Sequence, residues 1–282
     1  MNMSNNQSDE ETLLVKHEIY EHYKNSKYLS IKHSSYFQVY EELLSKYRNK
    51  PIVFVEVGVL NGGSLFMWRS YFGPEARIIG VDFNPAAKKW EKEGFEISIG
   101  SQSDPVFWDN FFEAFGEIDV LLDDGGHTNE QQIITTYKCI PHIRDKGILI
   151  VEDAHSSYMR GFGNPSRYSF MNYAKNLIDS GINSRFPAVK LPKNPLRNAI
   201  YSMTVYESIV CFNIDREKCF VSSPTSNGGI SSNAEDFVYQ DRLTKSLCKV
   251  IFLPFGIKLS ARGFFRFFEN VFINIRIKKY FD

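Results

Sequence analysis

VLLDDGGHTNEQQ, residues 120–132, is an apolar run that ends abruptly in two aspartates, two glycines and a histidine. Val120, Leu121 and Leu122 follow one another with no polar residue between them, the pattern of a strand covered on both faces. What comes next is turn chemistry. Asp and Gly are ordinary connectors, and Asp124 or Thr128 could serve simply as the cap of the next helix. The segment therefore admits two readings, a plain strand-to-helix connector or a functional strand end, and its surroundings separate them.

The surroundings repeat the same unit. PIVFVEVG (51–58), ARIIGVD (76–82), FEISIG (95–100), EIDVLLDD (117–124) and KGILIVED (146–153) are five short apolar runs. Between them lie a glycine turn opening the helix LNGGSLFMWRSYF (60–72), a helix from Asp104 to Phe115 with Asp104 as N-cap, and a helix from Thr128 to Ile143. Strands alternating with helices predict a parallel sheet with helices on both faces. Ala199–Tyr206 and Ser208–Ile214 are two alternating runs joined by almost nothing, and they predict an antiparallel hairpin that finishes the sheet. The expected fold class is α/β: a doubly wound, Rossmann-like, seven-stranded, mostly parallel sheet with a C-terminal antiparallel hairpin. An N-terminal helical extension (1–50), with helices over Glu11–Lys27 and Ser34–Tyr47, precedes the domain at 51–214, and a C-terminal segment with a helical tail (215–282) follows it.

In such sheets ligands bind beyond the carboxyl ends of the strands. There the sequence puts Glu56 and Gly58, then Asp82, then Ser101 and Gln102, then Asp123 and Asp124 with His127, and last Glu152 with Asp153. Loop solubility needs no carboxylate at four of five strand ends, so the functional reading of residues 120–132 prevails. The glycines at 58, 62 and 63 lack the GxGxxG spacing of a dinucleotide fingerprint, yet they allow a tight turn and close ligand approach. Asp82 stands where an acid accepts hydrogen bonds from ribose hydroxyls. An adenosine-containing cofactor follows, either a nicotinamide dinucleotide or S-adenosylmethionine. Glu56, just before the glycine loop, would sit badly beside a pyrophosphate and suits a cationic amino-acid moiety.

The 282 residues are 43% hydrophobic with a formal net charge of zero, so no global field draws the chain to nucleic acid. Cys139, Cys211, Cys219 and Cys248 show no CxxC spacing, which favours a reducing, cytoplasmic setting. MNMSNNQSDEETLL is polar and acidic, unlike a signal peptide. No apolar stretch reaches the roughly 18 residues of a spanning helix. Charge is uneven, however: residues 242–282 hold nine basic residues against two acidic ones. LCKVIFLPFGIKLSARGFFRFFENVFINIRIKKYF (247–281) mixes Phe, Ile and Val with spaced Lys and Arg. Such a run is either a basic amphipathic helix lying on the inner face of an anionic membrane, or a helix packed on the domain or in a homo-oligomer interface.

VEVGVLNGGSL, IIGVDFNP, IGSQSDP, IDVLLDDGGH and GILIVEDAHSSY together resemble class I S-adenosylmethionine-dependent methyltransferases. Within that class they most resemble the metal-dependent macrocin and mycinamicin sugar O-methyltransferases. The resemblance covers about residues 28–158. It implies S-adenosyl-L-methionine and Mg²⁺ as cofactors, Asp124, Glu152 and Asp153 as metal carboxylates, and His127 as general base. Little matches beyond Tyr158, so the acceptor does not carry over; a saccharide or glycosylated small molecule is the expected class, and a tail lying on a membrane would make it a lipid-linked saccharide or a surface polysaccharide. Physical logic runs alongside: three carboxylates are a hard oxygen set suited to Mg²⁺. A cation there can hold neighbouring sugar hydroxyls and lower a hydroxyl pKa, and a neutral imidazole can accept the proton. Glu56, Gly58, Gly62, Asp82, Ser101, Gln102 and Asp123 are the expected cofactor contacts, with Asp123 serving either the methionine end or the metal ligands. His155 and Tyr158 follow the metal pair as acceptor-contact candidates, KYLSIKHSSY (27–36) falls where the family places an acceptor-facing segment, and His142 is read as structural. Two alternatives stay open: methylation of a non-sugar natural-product hydroxyl, and a nicotinamide-dependent oxidoreductase, which would leave the carboxylates of strands four and five idle.

Overall fold

The computed structural model describes residues 14–162, 166–230 and positions 274, 277 and 278. The chain divides into two units, Met1–Ser223 and Pro224–Asp282. Apart from those last three positions, the expected membrane-surface helix of residues 247–281 lies outside the described residues. Among the described residues no helix is long and apolar enough to cross a membrane.

The first unit carries strands β1 (Val53–Val57), β2 (Arg77–Asp82), β3 (Glu96–Ile99), β4 (Ile118–Asp123), β5 (Ile143–Val151), β6 (Ile200–Tyr206) and β7 (Ile209–Ile214). They form one seven-stranded sheet in the order β3-β2-β1-β4-β5-β7-β6. β1 to β5 pair in parallel, and the β6–β7 hairpin adds antiparallel to β5. The order reverses between β1 and β4, the switch point at which doubly wound sheets open a crevice. Helices α1 (Glu18–Lys24), α2 (Tyr36–Leu44), α3 (Gly63–Phe72), α4 (Pro105–Phe115), α5 (Asn129–Cys139) and α6 (Phe170–Asn176) surround it. Asp104 caps α4 by accepting from the Val106 amide. Thr128 and Gln131 form a reciprocal capping box on α5. That helix stops sooner than the hydrophobic pattern suggests, at Cys139, because Pro141 cannot continue it and a single 3₁₀ turn, Ile140–His142, follows. The second expected helix likewise closes early, as α2 plus a 3₁₀ turn at Ser45–Tyr47.

Successive side chains of a strand point to opposite faces. Val53, Val55 and Val57 therefore share one core layer with Leu121, Leu149 and Val151, under Trp108 and Phe111 of α4. Phe54 joins Val120, Leu122, Ile148 and Ile150 in the other layer, under Tyr40 of α2 and Trp68 of α3. The register sets Glu56 beside Leu122, and Leu122 beside Ile150. Counting on by two, Glu56, Asp124 and Glu152 all fall on the Phe54 face, whereas Asp123 falls on the other. This parity governs the site.

Candidate active site

A cavity of about 910 Å³ opens at the carboxyl edge of the sheet, with the ends of β1, β2 and β3 on one side and those of β4 and β5 on the other. Gly58, Asp82, Ser101, Gln102, Asp124, His127, Glu152 and Asp153 line it, so eight expected site residues converge. Ile31, Lys32, His33 and Tyr36 complete the wall from the N-terminal segment.

The first side is organised by backbone. Gly58 sits at φ +93°, and a Cβ there would lie 2.2 Å from the Asp124 carbonyl oxygen. Only glycine lets the β1 turn approach the end of β4 this closely. Asp82 Oδ2 accepts from the amides of Val59 (2.9 Å) and Leu60 (3.1 Å), and Oδ1 accepts from Asn84 (2.7 Å). These bonds fix the carboxylate at the rim while leaving each oxygen further lone pairs. Gln102 ties the two sides together: its Oε1 accepts from Gly126 N (2.8 Å), and its Nε2 donates to Asp123 Oδ1 (2.9 Å) and lies 3.2 Å from Thr135 Oγ1.

On the second side the groups are side-chain acids. His127 and Asp153 both hold left-handed backbone, at φ +57° and +52°. A non-glycine residue in that region costs on the order of 1 kcal/mol, and such strain concentrates at functional sites. His127 Nε2 lies 3.3 Å from Asp153 Oδ2 and 4.0 Å from Asp124 Oδ1. One ligand atom each from Asp124, His127 and Asp153 falls within a 4.8 Å group. His127 Nδ1 is buried with no hydrogen-bond partner among the described residues.

Glu152 is placed differently from its neighbour. Its oxygens go to the Tyr40 hydroxyl, which donates to Oε1, and to Lys32 Nζ, which donates to Oε2 at 3.0 Å. Lys32 also donates to Asp124 Oδ2 at 2.6 Å and stands 4.0 Å from Glu56 Oε1, with its side chain 2% exposed. Burial works against the lysine's charge, but the carboxylates of Asp124, Glu152 and Glu56 outweigh it and raise its pKa. Tyr36 grips the remaining acid, donating to Asp153 Oδ1 at 2.6 Å. Of the three expected metal carboxylates, Asp124 and Asp153 thus come together with His127, while Glu152 is turned toward Lys32 and Tyr40.

Three expected cofactor contacts stand behind the wall. Glu56 is fully buried on the Phe54 face, accepting from Ser64 Oγ (2.7 Å) and Trp68 Nε1 (3.0 Å), and burial raises its pKa to about 7 against the pull of Lys32. Gly62 gives room to an indole, since a Cβ there would lie 2.4 Å from Trp90. Asp123 points the other way, to Gln102 and the Gly125 amide, with Oδ2 unpartnered among the described residues; burial raises its pKa to about 6. Elsewhere, His155 bonds Ser208 Oγ at the β6–β7 turn. His142 stacks on Phe112 at 4.0 Å, a packing role as expected. The residues that sequence reasoning missed are Lys32, Tyr36 and Tyr40. The only signal for Lys32 and Tyr36 was the position of KYLSIKHSSY, not its residue pattern, and Tyr40 lies beyond that stretch, in α2.

Among the described residues, Lys32 is the one lysine within 4.0 Å of Glu56, Asp124 and Glu152, and no lysine or arginine pairs with Asp123 or Asp153. Asp124 Oδ1 and Asp153 Oδ2, clear of that lysine and beside His127, are a pair of hard oxygen donors that fits a divalent cation. The comparisons agree with this chemistry. Residues 55–154 match a family model described as a methyltransferase domain. The chain is 30% identical over 202 residues to the mycinamicin VI 2''-O-methyltransferase of Micromonospora griseorubida, an alignment covering 67% of this chain and 48% of the relative. It is 29% identical over 153 residues to the demethylmacrocin O-methyltransferase of Streptomyces fradiae, covering 50% and 38%. The chain thus spans about half or less of these relatives' own length. Among solved structures it is similar to the mycinamycin-pathway methyltransferase MycE in complex with Mg, SAH and mycinamycin VI. The TM-score is 0.61 at 26% identity, covering 78% of this chain and 56% of that one. The chain is thus similar, over about half or less of their length, to the macrocin- and mycinamicin-type sugar O-methyltransferases, and its residues 55–154 match a methyltransferase domain.

Proposed function

We propose that this chain is an S-adenosylmethionine-dependent, Mg²⁺-dependent O-methyltransferase acting on a sugar hydroxyl of a glycosylated small molecule. The observation that carries the reading is the single cavity that joins the amide-organised ends of β1–β3 to the acidic pocket beside His127. Asp82 would hold the ribose hydroxyls, and Ser101 and Gln102 lie along the same wall for the adenine edge. Asp124 and Asp153 would hold the divalent cation, which when bound supplies Lewis acidity that lowers the acceptor hydroxyl's pKa. His127 Nε2, facing both acids, accepts the hydroxyl proton. The freed oxygen forms the new C–O bond as the methyl C–S bond breaks, leaving S-adenosylhomocysteine, and the proton passes from the imidazole to solvent. Because transfer removes the sulfonium charge, positioning and deprotonation are the main demands on the protein.

Calorimetric titration with S-adenosylmethionine and with NADH, each with and without Mg²⁺, tests the cofactor. Binding of NADH alone would overturn the reading. Turnover of glycosylated macrolides or anthracycline-type glycosides should fall about 10²–10⁴-fold in His127→Ala, and likewise on chelation, with S-adenosylmethionine affinity retained. The basic, apolar composition of residues 247–281 favours one extension of this reading: docking on an anionic membrane that carries a lipid-linked or surface saccharide acceptor. Co-sedimentation of the full chain with phosphatidylserine vesicles checks it, and a protein that stays in the supernatant removes that extension.

A further inference from the structure

Among the described residues, six non-glycine residues hold a positive φ, and Leu60 is the one apolar member of the set. Its φ is +45°, a backbone that strains a leucine and leaves a glycine at ease. The isobutyl group is also 76% exposed, and it lines the cavity at the end of β1. Leu60 is thus doubly unfavourable in the empty site, strained in its backbone and wetted on its side chain.

The amide of Leu60 locates that side chain. It donates to Asp82 Oδ2 at 3.1 Å, while the Asn84 amide donates to Oδ1 at 2.7 Å, so the leucine stands beside the acid that would hold a ribose. A dinucleotide loop reads G-x-G-x-x-G: the first glycine makes the turn, the third permits close packing where the helix begins, and the second lets backbone approach a pyrophosphate. Gly58 and Gly63 occupy the first and third places here. Gly58 has φ +93°, and a Cβ on Gly63 would lie 2.3 Å from the Tyr28 carbonyl oxygen. Leu60 occupies the second place. The left-handed turn is kept, and the space that a glycine would leave open is filled.

Resting on the cofactor reading above, we propose that Leu60 is a specificity-determining residue: its side chain covers the nucleoside of a phosphate-free cofactor and fills the space a pyrophosphate would need. Acceptance and exclusion have one origin. An isobutyl group gains by resting on the C–H face of a ribose whose diol is held by Asp82. A diphosphate brought to the same place would shed water and meet hydrocarbon instead of open backbone amides.

The probes are S-adenosylhomocysteine and ADP-ribose, each titrated calorimetrically into the full-length protein with Mn²⁺ as its divalent cation. Leu60→Gly should bind S-adenosylhomocysteine about tenfold more weakly, and ADP-ribose should bind it more tightly than it binds the unsubstituted protein. Leu60→Met keeps the apolar bulk and should stay within about threefold of the unsubstituted protein for both ligands. A leucine that merely shapes the loop would move neither affinity, or both in the same direction. If Leu60→Gly binds S-adenosylhomocysteine within about twofold of the unsubstituted protein, or ADP-ribose gains nothing, the inference is overturned while the cofactor reading stands. If the unsubstituted protein does not bind S-adenosylhomocysteine, both fall. Should Leu60→Gly not fold, Leu60→Asn carries the same comparison, because asparagine also adopts left-handed backbone.

Discussion

At the ends of β1–β3 the cavity wall is backbone amide and glycine, with Asp82 as its one fixed acid; at the ends of β4 and β5 it is side-chain carboxylate. The first half is complete within residues 53–102. The second is incomplete without Lys32, Tyr36 and Tyr40, which lie far away in the chain. Backbone donors keep their geometry without help from elsewhere. Clustered acids do not: breaking a buried ion pair by removing one partner costs about 3–5 kcal/mol. A site of this kind therefore needs a local loop for its cofactor and a distant segment for its acids.

Substitutions that strike both halves, one half or neither put this contrast to the test. Gly58→Ala should do the most, because Gly58 is the seam between them. The added Cβ meets the Asp124 carbonyl at 2.2 Å and φ is +93°, so unfolding free energy should drop by at least about 3 kcal/mol with both ligand affinities lost. Asp82→Ala should weaken S-adenosylmethionine about 10–100-fold, the worth of charged hydrogen bonds to a diol, and leave Mn²⁺ affinity as it was. A parallel loss of Mn²⁺ would mean the halves are not separable. Asp123 supplies a pH test. Burial holds its folded pKa near 6, above the ordinary 3.8, so its contribution to stability is full below about pH 4 and is lost as pH rises through 6. Asp123→Asn cannot ionise and should gain on the parent across that window, by up to about 3 kcal/mol in urea titrations. Thr128→Ala should do least: loss of the capping box costs about 1 kcal/mol and a few degrees of Tm, with both ligand affinities unchanged.

Much of the fold was legible because each element carries its own signal. Five apolar runs, Asp104 before α4 and two alternating runs joined at Glu207 and Ser208 were enough to give strands, caps and hairpin. The end of α5 was misjudged, because the expected helix ran past Pro141 to Ile143 although proline cannot continue it. At the site, the sequence named the strand ends but not the direction of each side chain. Phe54, Leu122 and Ile150 share a face, and a step of two leads to Glu56, Asp124 and Glu152. Counting faces would have set Asp123 apart from Asp124, but not Glu56, which shares the face of Asp124 and Glu152 and is turned inward by Ser64 and Trp68. Gly62 shows a different limit, since its neighbour Trp90 is distant in sequence and sterics alone assign the glycine to it. Lys32 was the hardest to see. Residues 25–35 form neither helix nor strand, so no periodicity marks which of their side chains turns inward.

Ninety-two residues separate Lys32 from Asp124, and 120 separate it from Glu152. During synthesis the lysine emerges long before its partners exist, and it waits in solvent while five strands are made. Closing so long a loop is slow compared with forming the helices nearby. Quenching of a dye near residue 32 by a group on the β5 end would then time the closure of this loop.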